Sequence, residues 1–270
     1  MTAPGQRGFI RRMNMVNCKE EAWRPPVFTP VGSRFNAVLA ALRRALDLQA
    51  GSIWRDLKCV LPYVTGTLVD VGCGAQPYRP LVSPGTTYIG IDTVNARDHF
   101  GYEIPDTRYF AGDTWPIEGA SADFVLCTET LEHVEQPGRL LREAFRCLAP
   151  GGTLLLTVPF AARWHFIPHD YWRYTPSGLN CLLSEAGFLN TRVYARGNAV
   201  TVACYKNMAL ILRLCIPDIR RVALRLITQL LSLPLIPVLV LLAAIANISM
   251  LGSGGNDCLG YTALAEKGPA

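Results

Sequence analysis

A chain of 270 residues has room for one large domain or two small ones. Half of it is apolar, 17% is charged and the mean hydropathy is +0.21, which is high for a soluble enzyme. The net charge of +5 is spread out, so solvated faces account for it and no nucleic-acid partner is expected. The nine cysteines are scattered with no Cys-x-x-Cys pair, which argues against a disulfide framework or a zinc site and for a reducing compartment.

Residues 1–32 read as a loose lead-in, because Pro25-Pro26 prevents regular helix around Trp23. Arg7, Arg11 and Arg12 precede no apolar run, so no signal peptide is expected. Ser33 caps a predicted helix through Phe35, Val38, Leu39, Leu42 and Leu46, and a second pattern runs Ile53, Trp54, Leu57, Val60, Leu61. Both are expected to flank a sheet and border the entrance to its site. Leu68 to Val71 then forms a buried strand that runs straight into Gly72-Cys73-Gly74. Two glycines there let a ligand approach the backbone closely. The order is Asp-x-Gly-x-Gly, not the Gly-x-Gly-x-x-Gly of a nicotinamide-dependent dehydrogenase. An acid, Asp70, just before the turn suits a ligand with a positive end, such as the amino-acid end of S-adenosylmethionine (SAM).

The second strand, Tyr88 to Ile91, ends at Asp92, about twenty residues past the turn, where this fold class places an acid on ribose hydroxyls. A third lies near Arg108 to Ala111, followed by Asp113, Thr114 and Trp115; Asp113 is suited to an exocyclic amine and Trp115 to an adenine face, or to a turn and a core. Strand four, Phe124 to Cys127, opens into Thr128-Glu129-Thr130-Leu131-Glu132-His133-Val134. A helix from Pro137 to Leu148 ends at Pro150-Gly151-Gly152, and strand five, Thr153 to Val158, is apolar throughout. A polar-aromatic loop, Phe160 to Tyr174, follows. Thr175-Pro176 caps and starts a helix that stops at Ala186-Gly187, and strand six lies near Thr191 to Tyr194. Short apolar strands alternating with helices predict a doubly wound α/β sheet.

Taken together, Val69-Asp70-Val71-Gly72-Cys73-Gly74, Ile91-Asp92, Ala111-Gly112-Asp113, Cys127 to Val134 and Leu148-Ala149-Pro150-Gly151-Gly152 resemble the class I SAM-dependent methyltransferases, of the type 11 small-molecule group. The segment Pro168 to Pro176 is similar to a loop in the subset associated with bacterial glycan and envelope biosynthesis. The resemblance covers about Gly51 to Phe188 and resumes at Gly260 to Lys267. It implies a Rossmann-like, seven-stranded sheet whose last strand is antiparallel, which Cys258 to Lys267 fits. It implies that Asp70, Gly72 and Gly74, with Cys73 in the same turn, hold the methionine end of SAM. Asp92 would take the ribose hydroxyls, Asp113 and Thr114 the adenine edge, and Cys127 would begin the segment beside the sulfonium.

Between strand six and the last strand stands an apolar helical insertion, about residues 206–255, which divides the core (33–205) from the final strand and tail (256–270). No charge occurs from Leu226 to Leu251, a run long enough to span a bilayer. A chain that must return to its own sheet cannot cross once, and Pro234 and Pro237 break the run. The expectation is therefore a pair of helices lying in one leaflet, with Arg213, Arg220, Arg221 and Arg225 at the headgroups, on the cytoplasmic face of the membrane. A homodimer interface or an apolar lid is the competing reading.

Methyl transfer to oxygen or nitrogen needs a base. His133 after strand four and His169 in the loop are the candidates. Glu132, Arg163, His165, Tyr171 and Arg173 are candidate acceptor-binding groups; Glu132 could also orient His133 or cap a helix, and the arginines could bind an anion or pair with Asp170. His165 and His169 lie four apart with no third ligand at suitable spacing, so no metal is expected. The acceptor is expected to be a small molecule, glycan- or lipid-linked, with a quinone or isoprenoid ring as the nearer alternative and a catalytically degenerate membrane scaffold as the non-enzyme one.

Overall fold

The computed structural model describes residues 34–101, 103–215 and 222–270. The lead-in, with Trp23 and the Ser33 cap, lies outside the described residues, as do Arg220 and Arg221.

Two helices come first, α1 (Arg34–Leu46) and α2 (Leu48–Lys58), the second capped by Asp47, whose carboxylate accepts from the Ala50 N–H at 3.1 Å. Strands β1 (Thr67–Val71), β2 (Thr87–Thr93), β3 (Thr107–Phe110), β4 (Ala122–Thr128) and β5 (Leu148–Pro159) follow, with α3 (Val94–Phe100) after β2 and α4 (Pro137–Cys147) before β5. Then come α5 (Pro176–Glu185) and β6 (Leu189–Arg196). Helices α6 (Ala199–Cys215), α7 (Val222–Ser232) and α8 (Ile236–Ser249) separate β6 from β7 (Gly260–Glu266). The sheet order is β3-β2-β1-β4-β5-β7-β6, and β7 is antiparallel to both neighbours. This is the seven-stranded, doubly wound sheet that the sequence predicts.

Helices cover both faces, so the central strands are apolar throughout. Alternation then sorts their residues. Val69, Val71, Val125, Cys127, Leu154 and Leu156 pack with Leu141 and Ala144 of α4 and Leu179 and Leu183 of α5. Leu68, Phe124, Leu126 and Leu155 pack on the other side with Ile53 and Leu57 of α2. The strand order reverses between β1 and β4, which opens a crevice at their carboxyl ends.

The insertion differs from its sequence outline at the start. Helix α6 begins at Ala199, before residue 206, because Asn198 caps it: its Oδ1 accepts from the Val200 and Thr201 N–H groups at 3.1 and 3.3 Å. A short 3-10 turn, Leu233–Leu235, separates α7 from α8 at Pro234. Helix α8 turns Leu239, Ala243 and Ala246 inwards onto Leu48, Cys204, Met208 and Leu259. Its carboxyl end is tied down: Asn247 donates to the Ala45 carbonyl and Asn198 to the Ser249 carbonyl, both at 2.9 Å. Helix α7 has no such anchorage among its described side chains; Leu224, Leu226, Ile227, Leu230 and Leu231 are all exposed.

Candidate active site

A cavity of about 1010 Å3 opens at the crevice between β1 and β4. Its floor is the turn Gly72-Cys73-Gly74. Gly72 and Gly74 have φ of 64° and 49°, the left-handed region that favours glycine. A Cβ on Gly72 would stand 2.5 Å from Thr130 Oγ1 and 2.6 Å from its Cγ2, so the turn and the loop after β4 fit only without it. Asp92 closes the turn from β2: its carboxylate accepts from the Gly74 N–H at 3.0 Å and the Thr93 N–H at 2.8 Å. Burial raises its pKa, and these two hydrogen bonds oppose the rise.

Asp70 sits behind this turn and does not line the cavity. It is fully buried; Oδ2 accepts from the Tyr88 hydroxyl at 2.5 Å and Oδ1 has no partner. Burial pushes its pKa up to about 7, with the Tyr88 hydrogen bond opposing and Asp92 adding to the rise. Cys73 lines the cavity and is buried, whereas Cys127 is in the sheet core and Thr128 is the first residue of β4 to reach the wall.

On the β3 side the structure departs from the sequence expectation. Asp113 and Thr114 are exposed and outside the cavity wall, and Asp113 pairs with Arg139 at 2.7 Å. Phe110 and Trp115 face the cavity instead, with the Trp115 backbone N–H donating to the Glu143 carboxylate at 2.8 Å. The resemblance implied an adenine-edge role for Asp113; in the fold its carboxylate pairs at the surface with Arg139 of α4.

The opposite wall is formed by the loop after β4 and the 160–174 loop. His133 Nδ1 stands 2.7 Å from the His169 carbonyl oxygen. A carbonyl only accepts, so Nδ1 carries the hydrogen and Nε2 keeps its lone pair. Burial lowers the His133 pKa to about 4, with His165 adding to the fall and the His169 carbonyl opposing it. His133 is thus a neutral imidazole at physiological pH. His169 is exposed; its Nδ1 lies 3.3 Å from the Tyr171 hydroxyl, which itself donates to Glu135 at 3.0 Å. Both His169 and Tyr171 line the cavity, as do Arg163 and His165. Arg173 does not: it forks onto Asp170 at 2.6 and 2.7 Å, so of its two expected roles the structure selects the ion pair. Burial pushes Asp170 up, but the hydrogen bonds from Arg173 and His165 outweigh it and hold the carboxyl well below its usual range.

Phe166 stands at the centre of this wall. Its ring lies 4.7 Å from His99, 5.3 Å from Phe100, 5.4 Å from His133 and 5.2 Å from His169, centre to centre. Its φ is 50°, which a bulky side chain rarely adopts. Sequence reasoning missed it, as it missed Glu129. Glu129 lines the cavity with φ of 47° and accepts from the fully buried guanidinium of Arg196 at 2.7 Å. Only the pairing of β6 with β7 delivers that arginine.

A methyltransferase-domain family model matches residues 34–193, more than half of the chain. The chain belongs to the SAM-dependent methyltransferases. The ubiquinone biosynthesis O-methyltransferase of Dinoroseobacter shibae is 30% identical over 166 residues, which cover 51% of this chain and 66% of that one. An uncharacterized methyltransferase of Mycobacteroides abscessus is 32% identical over 134 residues, covering 39% and 52%. The chain spans less than two thirds of the length of either curated relative. A solved SAM-dependent methyltransferase from Thermotoga maritima, described as a possible histamine N-methyltransferase, matches with a TM-score of 0.50 over 86% of this chain and 98% of that one. At 17% identity that is a likeness of fold.

The site of this methyltransferase fits SAM, its cofactor. Gly72 and Gly74 leave two of the three turn positions without a Cβ on the cavity floor, and Asp92 faces the cavity from the end of β2; Asp70, expected from the resemblance to touch the methionine end, is instead buried behind the turn. Among the described residues, Glu132, His133 and His165 also bring one donor atom each within 4.8 Å of one another. That arrangement could hold a divalent cation. Sequence spacing offered no such set, because Glu132 and His165 meet only in the fold. Both Glu132 oxygens are buried without a hydrogen bond, and burial together with the nearby Glu129 raises its pKa well above the usual range.

Proposed function

We propose that this methyltransferase moves the methyl group of SAM to an oxygen or nitrogen of a small, lipid-linked acceptor at the inner surface of a membrane. The observation that carries the reading is His133. His133 lines the cavity as a neutral imidazole whose Nδ1 hydrogen is fixed by a backbone carbonyl, which leaves the Nε2 lone pair as a proton acceptor.

SAM supplies the electrophilic methyl group, so the protein's share is alignment, exclusion of water and removal of one proton. The Gly72–Gly74 turn and Asp92 bind and orient the cofactor. Phe166 and its ring neighbours exclude water and position the acceptor. The acceptor's proton passes to His133 Nε2. The resulting imidazolium lies 3.6 Å from Glu132 Oε1, and a positive charge there favours the ionised form of that buried carboxyl. Lipid linkage and membrane contact are supported by α7 and the outer face of α8, where Leu230, Leu231, Leu241 and Ile248 are exposed. The anchorage of α8 to α1 and α6 argues against its crossing a bilayer, even though Leu224–Ser249 is long and apolar enough.

A second reading has a specific observation in its favour. The relatives named ubiquinone biosynthesis O-methyltransferases, with the aromatic wall around Phe166, favour a quinol or isoprenoid-phenol ring over a glycan head. The intact cofactor turn disfavours a degenerate scaffold.

Calorimetric titration with SAM and S-adenosylhomocysteine tests the reading. Micromolar binding is expected, weakened at least about tenfold in Asp92→Ala through loss of its contacts to turn and ligand. Well-folded protein that binds neither compound would overturn it. With binding established, turnover of prenylated phenols against polyprenyl-phosphate glycans separates the two acceptor heads.

A further inference from the structure

A second cavity lies outside the site already described. It is a groove of about 500 Å3 between α1 and α6, walled by Leu39, Leu42 and Leu46 on one side and Met208, Ala209 and Leu212 on the other. That volume is within the range of small-molecule sites. Its walls carry no charge along these six residues. Its lining also includes polar side chains: the exposed Arg43 and Asp47 and the half-buried Tyr205 line both this groove and the catalytic cavity. The two spaces are therefore neighbours across these three side chains. The rim is apolar but open to solvent, with Leu39 47%, Leu42 55% and Leu212 41% exposed.

An apolar trough that shares its polar side chains with an adjoining polar, aromatic cavity matches a ligand with a head and a tail. We propose that the groove between α1 and α6 holds the hydrocarbon tail of the acceptor while its head lies beside His133. The proposal rests on the methyltransferase reading above and narrows its substrate to amphiphiles with an alkyl or prenyl tail. Adjacency to the catalytic cavity, across the three shared residues, selects this occupant over a second copy of the chain. It also gives the insertion a catalytic purpose, because α6 forms one wall of the trough and α7 and α8 follow it with further exposed leucines.

The test is calorimetric binding of catechol and of dodecylcatechol to the full chain saturated with S-adenosylhomocysteine. Each methylene buried in the groove contributes about fourfold to affinity. The tailed probe is therefore expected to bind at least about a hundredfold more tightly. Ala209 is exposed on the groove wall, so Ala209→Trp fills the trough without disturbing the core. It is expected to reduce the tail advantage to about threefold or less and to leave the affinity for S-adenosylhomocysteine unchanged. Leu42→Trp repeats the test from the opposite wall if the first variant fails to fold. A tail advantage that survives both substitutions places the tail elsewhere and overturns the proposal. So does its absence in the native chain. A dimer in sedimentation that Ala209→Trp dissociates, with no dependence on tail length, assigns the groove to a second copy and overturns it as well. Loss of S-adenosylhomocysteine binding in the native chain would instead sink the methyltransferase reading, and this proposal with it.

Discussion

Two buried acid–base groups set the chemistry at the scale of single residues, and each has a sign that can be worked out. His133 is pushed down to about 4 by burial, below the ordinary imidazole value of 6.5. It stays an unprotonated base across physiological pH, so kcat/KM is expected to hold steady from neutral pH and fall only near pH 4. An unperturbed imidazole would give that limb near pH 6.5. His133→Ala is expected to lower kcat by about 10² to 10⁴ with cofactor affinity retained. An equal loss of cofactor binding would show that His133 only supports the fold. Asp70 runs the other way. Its pKa rises from 3.8 unfolded to about 7 folded, so between those values the native state binds more protons. That stability is present at low pH and is lost as pH rises towards 7. Asp70→Asn removes the ionisation. Between about pH 5 and about pH 9, urea denaturation of the native chain should show a stability loss roughly 3 kcal/mol larger than that of the variant. Equal losses would mean that Asp70 is not buried without a counter-charge.

At the scale of elements, the turn between β1 and β2 and the loop after β4 are fitted to each other. Both branches of Thr130 stand about equally close to the missing Cβ of Gly72, so rotating the threonine cannot clear both. The φ of 64° adds backbone strain to any L side chain there. Gly72→Ala is therefore expected to cost roughly 1 to 3 kcal/mol by thermal unfolding and to weaken SAM binding at least about tenfold. Unchanged binding would remove the turn from the cofactor site. The 160–174 loop shows the opposite case. Phe166 keeps a bulky ring in a glycine-type conformation, held by its ring contacts, while the preceding residue, His165, is fixed by its backbone N–H donating to the Asp170 carboxylate at 3.0 Å. Such strain persists at sites where the surrounding structure over-determines a side chain.

At the scale of the whole molecule, the sheet fixes where the insertion can go. Strands β6 and β7 are hydrogen-bonded neighbours, so α6 to α8 must leave and return on one side. The exposed apolar side chains of α7 then face water, a partner or one leaflet. Replacing Ile227, Leu230 and Leu231 by glutamine is expected to reduce co-flotation with anionic vesicles at least about tenfold while leaving the melting temperature unchanged, since all three are exposed. Native protein that fails to float at all would dismiss the membrane surface.

The sequence by itself determined the succession of strands and helices in the α/β core, the glycine turn and the place of Asp92 at a strand end, because those signals are contiguous and depend on alternation, turn chemistry and fixed spacing; the antiparallel last strand followed from the family resemblance, and the strand order came from the fold. The sequence also marked the break at Pro234, again through a contiguous signal. The sequence left Arg173 two roles, and the fold keeps the local pair with Asp170; tertiary structure alone decided that Asp113 turns to Arg139 and that Arg196 from β6 braces Glu129. It also decided which histidine has its proton fixed, since His133 meets the His169 carbonyl only when the 160–174 loop folds over the crevice. The physical reason is common to these three. Charge pairing and desolvation depend on distance and burial, and between residues far apart in the chain those quantities exist only once the sheet has brought them together.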